Sequence, residues 1–425
     1  MDSLQSIKKR LIEHINRYQA QDEEISCVRI QSKLSVNLLS WLKAQSNYPQ
    51  FYLNFRDDAQ IVATIGEVRC FDDTKAAQRF MQETQLPLFG GLTFYAHAGF
   101  FLPRLVLQQQ NDELSVSLFI DNGKKNPTEE RKAIAALLET FEKITALQPV
   151  RQQIRLTEQK AAQDQWCQWV EKALQRIRSG ELTKVVLANE TVFRTQNPLN
   201  PKDFLVESER CNFGCYHFLL QENPRSAFLG STPERLYRRQ GLLLQTEALA
   251  GTALMCEDEE QNRRQGEWLL QDPKNLYENW LVVEDISQNL QPYVRDIVVA
   301  DSELKQLRQV QHLKRKIHAE LLPDYGDVLC LDAIHPTAAV AGLPRDRAVR
   351  FLAETESFNR GRYAGAVGVM APDCAEFCVA IRSAFIAADK IHVFAGAGIV
   401  EGSIPLLEWQ EIERKALGLV SLLQE

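Results

Sequence analysis

The 425-residue chain has no apolar run long enough to span a membrane. Its opening stretch, Met1-Asp-Ser-Leu-Gln-Ser-Ile-Lys-Lys-Arg, lacks the apolar core of a signal peptide. Its nine cysteines form no CxxC pair, and the CxxxC spacings Cys211/Cys215 and Cys374/Cys378 suit neither a zinc knuckle nor a redox motif. Reduced thiols in a cytoplasmic protein are expected. No basic block stands out beyond Leu313-Lys-Arg-Lys316, and the net charge is −7, so neither nucleic acid nor membrane is an expected partner. That basic run reads as the solvated face of a helix over 311–321. P-loop, HExxH, G-x-S-x-G and EF-hand patterns are missing, as are internal repeats and low-complexity tracts. Gly396-Ala-Gly-Ile-Val-Glu-Gly402 mimics a dinucleotide fingerprint, but Glu401 stands where glycine is required. Too little chain follows for the rest of a nucleotide-binding half, so NAD is rejected. A glycine turn entering a helix, with amides free for an anion, remains expected there.

What is present is an ordinary globular composition, 45% hydrophobic and 25% charged. Leu4, Ile7, Leu11 and Ile15 mark a first helix. Paired strands are expected at 51–55 and 61–70, and a hairpin turns at Asn111-Asp112. Long helices are expected over 127–147 and 158–179, the second ending at Gly180. A strand follows that is entered with Lys184, then strands at 216–220 and 227–230. Helices over 259–290 are broken at Asp272-Pro273. Strands at 363–370, 376–386 and 391–396 precede a closing helix. Hairpin-joined strands with segregated helices argue an α+β fold with antiparallel sheets. Residues 1–150 read as an N-terminal portion and 151–425 as the portion bearing the chemistry.

Polar groups cluster where apolar strands stop. Ser231-Thr-Pro-Glu-Arg235 ends one strand sharply, because Pro233 fixes its own backbone and biases Thr232 toward extended geometry. Glu234 is thereby held at a strand exit, although a plain hairpin has the same composition. In Thr246-Glu-Ala-Leu-Ala-Gly-Thr252, Gly251 allows close approach to a ligand, with the Thr252 hydroxyl and amide aimed at an anion. Glu408, Glu411 and Lys415 share one helix face, as an exposed acidic stripe or as a hard-cation site to which Glu278 adds a carboxylate. Tyr363 and Arg382, on neighbouring expected strands, could grip a carboxylate, though a sheet-edge ion pair is equally open. Lys184, at a buried strand end, could lose its proton and act as a base; His335 is a donor or a structural imidazole.

Seven ordered stretches together resemble the chorismate-utilising enzymes, and within them the isochorismate synthases of the menaquinone branch. They are Gly180-Glu-Leu-Thr-Lys-Val-Val-Leu-Ala188, Phe228-Leu-Gly-Ser-Thr-Pro-Glu-Arg235, Thr246-Glu-Ala-Leu-Ala-Gly-Thr252, Lys274-Asn-Leu-Tyr-Glu-Asn279, His335-Pro-Thr-Ala-Ala-Val-Ala341, Ala395-Gly-Ala-Gly-Ile-Val400 and Glu408-x-x-Glu411-x-x-x-Lys415. The resemblance is strong over 157–425 and looser before it. It implies one large domain of two antiparallel sheets packed together with helices outside, and Mg²⁺-dependent conversion of chorismate to isochorismate. By it, Lys184 activates water for attack at ring C2 and Glu234 protonates the departing C4 hydroxyl. Glu278 and Glu411 hold the metal, with Glu408 beside them. Leu249, Gly251, Thr252, His335, Tyr363, Arg382, Gly398 and Lys415 match positions around the substrate or the metal. Asn275 departs from several relatives, which carry a second glutamate there, implying weaker metal binding.

Anthranilate and aminodeoxychorismate synthases share the scaffold but use ammonia from a glutaminase partner. Lys184 argues for water instead, and Ala250 argues further against the aminodeoxychorismate type, so no glutaminase is expected. Salicylate synthases, siderophore-branch isochorismate synthases and a non-catalytic chorismate-binding regulator stand as alternatives.

Overall fold

A computed structural model of the chain describes residues 3–18, 23–123 and 127–424. Twenty strands, among the described residues, join in one antiparallel network that divides into two sheets. The first runs Ile25–Lys33, Glu113–Asp121, Ala98–Gln110, Gln60–Phe71, Gln50–Asn54, Tyr216–Asn223, Ser226–Thr232, Ser383–Ala387, Lys390–Ile399, Lys184–Thr195 and Ile154–Gln159. The second runs Ala98–Gln110, Leu88–Leu92, Ala366–Met370, Cys374–Val379, Arg235–Gln240, Leu243–Leu254 and Val310–Leu321, with Val294–Val299 and Glu303–Gln306 at its far edge. The long Ala98–Gln110 strand belongs to both sheets. A single buried hydrophobic cluster draws residues from each, so the α+β architecture of two packed antiparallel sheets holds, with the refinement that they share a strand.

The chain passes between the sheets at two places that matter. Pro233-Glu234 links Ser226–Thr232 of the first sheet to Arg235–Gln240 of the second. Ala380-Ile381-Arg382 links Cys374–Val379 of the second back to Ser383–Ala387 of the first. The crossings are stitched together: the Val379 amide donates to the Glu234 carbonyl at 3.0 Å, and the Ser231 amide to the Arg382 carbonyl at 3.2 Å. Proline, without an N–H, ends the pairing at one crossing, and a left-handed backbone at Arg382 (φ 49°) ends it at the other.

Two helices carry the acidic residues onto these sheets. Pro273–Leu290, capped by the Asp272 carboxylate, packs on Leu243–Leu254, and Pro405–Val420 packs on Lys390–Ile399. No helix among the described residues is long and apolar enough to cross a membrane.

Several expected elements shift. Residues 310–321 form a strand in mid-sheet, not a helix; Leu313, Ile317, Ala319 and Leu321 alternate inward at the period of two. The 376–386 strand is two strands bent at Arg382, and Tyr363 lies in a turn before its strand. The helix expected over 127–147 stops at Leu138, and residues 154–159 pair as a strand before the next helix, Gln163–Arg178. Gly396 and Gly398 lie inside Lys390–Ile399, not in a turn entering a helix.

Candidate active site

Lys184 begins its strand with a side chain 1% exposed, and its Nζ donates to Glu278 Oε1 at 3.0 Å. The contact needs Gly398 on the neighbouring strand: a Cβ there would lie 2.8 Å from Glu278 Oε1 and 3.2 Å from Lys184 Cε. Glu234 is 3% exposed at the sheet crossing, close enough for Lys184 and Arg382 both to bear on it electrostatically. Burial, reinforced by the nearby Glu247 carboxylate, pushes Glu234 up to about 8 against those cations. It is therefore a protonated carboxyl at neutrality. The site thus joins an amine and a proton-bearing acid, the pair that moving a poor nucleophile and a poor leaving group requires.

Arg382 reaches the site from the second crossing. Its Nη2 donates to His312 Nε2 at 2.9 Å. A guanidinium has no acceptor, so His312 carries its proton on Nδ1, which lies 3.0 Å from Thr252 Oγ1. Burial, with Arg382 and Lys415 nearby, holds His312 well below the usual imidazole range and hence neutral. His312 was missed in the sequence because its strand reads as a helix, yet the alternation around Leu313 and Ile317 was the available signal. Tyr363 stacks on Phe394 (centroids 5.1 Å, planes 18° apart). Its hydroxyl sits 3.0 Å from where a Cβ on Gly396 would be, and it feels the charge of Glu234. Its turn is pinned by the buried Arg360, which bonds Glu356 and the Val186 carbonyl of the Lys184 strand.

Of the expected anion donors at Gly251-Thr252, the Thr252 amide is otherwise engaged. Gly251 takes φ +83° at a bulge in its strand, and the Thr252 amide donates to Asn275 Oδ1 at 3.1 Å. Asn275 Nδ2 in turn donates to Asp272, so this residue braces the bulge against the helix start. Leu249 is buried in the same strand, and no polar contact ties it to the acid or the amine. His335 bonds elsewhere. Its Nε2–H is spent on the Thr93 carbonyl at 2.9 Å, and burial lowers it to about 4, so it offers no donor.

The Glu278 carboxylate that accepts from Lys184 also bears on Glu408, which stands near Glu411. Burial, with Glu411 and then Glu278 adding repulsion, pushes Glu408 up to about 7. Lys415 bridges Glu411 Oε1 (2.6 Å) and the Gly396 carbonyl (2.9 Å), and the net result holds Glu411 low despite its burial. Among the described residues, no three carboxylate, imidazole or thiolate groups form a complete metal cage. Mg²⁺ needs only one or two carboxylates plus water and an anionic ligand, so mutually repelling carboxylates on two facing helices fit such an ion.

A cavity of about 410 Å³ elsewhere, lined by Phe228, Phe385, Phe394 and the far face of Tyr363, contains neither Lys184 nor Glu234 and is not the reacting centre.

A family model described as Chorismate binding enzyme matches residues 92–424. The isochorismate synthase MenF of Pasteurella multocida is 57% identical, with 100% of this chain and 99% of that protein covered. MenF of Haemophilus influenzae is 56% identical, covering 94% and 92%. The solved structure of MenF, the menaquinone-specific isochorismate synthase from Escherichia coli, matches with a TM-score of 0.95 at 37% identity, covering 100% of both chains.

Proposed function

Since the chain belongs to the chorismate binding enzymes, we propose that it converts chorismate to isochorismate, as a menaquinone-branch isochorismate synthase with Lys184 and Glu234 as its base and acid. The observation that carries this is a buried amine, bonded to the Glu278 carboxylate, within electrostatic reach of a buried carboxyl that burial keeps protonated.

The uncharged form of the Lys184 amine takes a proton from the water that bonds to C2. Glu234 gives its proton to the C4 hydroxyl, which leaves as water while the ring double bonds shift. One water is consumed and one released, so the reaction is an isomerisation, and proton exchange with solvent resets both groups. Each proton transfer is typically worth about 10²–10⁴ in rate. Arg382, oriented by His312, and the Tyr363 hydroxyl grip carboxylate oxygens of the substrate. Glu278 and Glu411, with Glu408 alongside, are the residues that would hold Mg²⁺. Bound there, the ion would anchor the ring carboxylate and withdraw electron density from the diene.

Incubation of the protein with chorismate and Mg²⁺, followed by separation of products, tests the reading. Isochorismate without pyruvate is expected. Salicylate with pyruvate would instead make it a salicylate synthase, and no turnover would leave a binding protein.

A further inference from the structure

The acid stands on a turn whose backbone is clamped on both sides. Arg56 Nη1 donates to the Pro233 carbonyl at 2.5 Å, on the N-terminal side of Glu234. Glu247 Oε1 accepts from the Arg235 amide at 2.9 Å, on the C-terminal side. The clamps are one unit, because Arg56 and Glu247 form a two-pronged pair (2.5 and 3.0 Å) with side chains only 3% and 2% exposed. A second buried cluster, Arg235 with Glu376 and the Tyr216 hydroxyl, backs the same turn, and the exposed Asp57 carboxylate caps Arg235 from outside.

We propose that the buried Arg56–Glu247 pair is a positioning element of the reaction: it fixes the turn that presents Glu234, and its charges set the pH range over which that acid keeps its proton. This rests on Glu234 being the general acid. A buried ion pair is a poor source of stability by itself, since desolvation offsets the attraction, so its placement beside the acid calls for another reason. The charged and titratable groups facing Glu234 come from six segments: Lys184, Arg382, Tyr363, Cys378, Arg56 and Glu247. Glu247 is the carboxylate of this set that raises Glu234, and it is paired with Arg56 in the interior.

Two substitutions separate geometry from charge, read in the pH profile of kcat at saturating chorismate. Glu247→Gln keeps an oxygen for the Arg235 amide but removes the negative charge, so the alkaline limb moves to lower pH by about one unit or more. Arg56→Lys keeps the positive charge but loses the fork, so kcat falls at least about tenfold with KM little changed and the limb in place. If Glu247→Gln does not fold, Glu247→Asp carries the test: charge kept, reach shortened, kcat down about tenfold and the limb unmoved. An unshifted limb in folded Glu247→Gln, or unchanged kcat in Arg56→Lys or in the Asp variant, overturns the proposal. Glu234→Gln is the control. If it retains turnover, the acid assignment fails; if it is inactive while the limb stays put in Glu247→Gln, only the present inference fails.

Discussion

Glu234 is a carboxyl whose surroundings oppose its ionisation more strongly than the nearby cations favour it, and that has consequences for both turnover and stability. As an acid it must be protonated, so activity is expected to hold below about pH 8 and fall as pH rises through that value. Its proton is bound more tightly folded, near 8, than at its ordinary value of 4.5, so between those pH values the unfolded chain holds fewer protons. Stability therefore falls with rising pH across that window, by about 1.4 kcal/mol per unit from this group. Glu234→Gln is expected to abolish turnover yet melt at higher temperature than the unsubstituted protein above pH 8; equal melting profiles at all pH values would refute a protonated buried acid. Lys184→Ala is expected to lower kcat by about 10²–10⁴ with an unchanged circular dichroism spectrum. Lys184 and Glu234 were legible in the sequence because one opens and the other follows a recognisable apolar strand. Arg56 was not: it is one arginine in an unremarkable bend, and its partner lies 191 residues away.

Strands and the bends between them decide which side chains converge. The basic run at 314–316 disguised the Val310–Leu321 strand as a helix, since three successive cations look like a solvated face. Packing between neighbouring strands overrode that local reading. With the strand misread, His312 had no assigned place. His312→Ala leaves the Arg382 guanidinium without its acceptor, a charge-assisted bond worth about 1.5–3 kcal/mol. The KM for chorismate is expected to rise about ten- to hundredfold; an unchanged KM would detach Arg382 from substrate binding. On the next sheet, Gly398→Ala puts a methyl 2.8 Å from Glu278 Oε1, which must swing away from Lys184. Activity is expected to drop at least about tenfold with the fold retained, measured by turnover alongside thermal melting.

The two sheets are one continuous network, and the first 150 residues supply strands to both. Gln50–Asn54 pairs with Tyr216–Asn223, and Leu88–Leu92 pairs with Ala366–Met370. A fragment beginning at 151 would expose both strand edges to water and to other chains, so it is expected to aggregate or lack native circular dichroism. A soluble, folded fragment would contradict the shared-strand architecture. Fold class and hairpins were readable because antiparallel pairing is local and alternates with the period of two. The shared strand and the two crossings were not, because they depend on which distant strands meet. That arrangement brings Lys184 and Arg382 within electrostatic reach of Glu234 from three segments. The most direct test of what they do there is to run the reaction in ¹⁸O-labelled water and locate the label by mass spectrometry and NMR. One labelled oxygen at the C2 hydroxyl of isochorismate is expected from the proposed role of Lys184 as the base that activates solvent water. Product carrying only the oxygen of the original C4 hydroxyl would contradict the account.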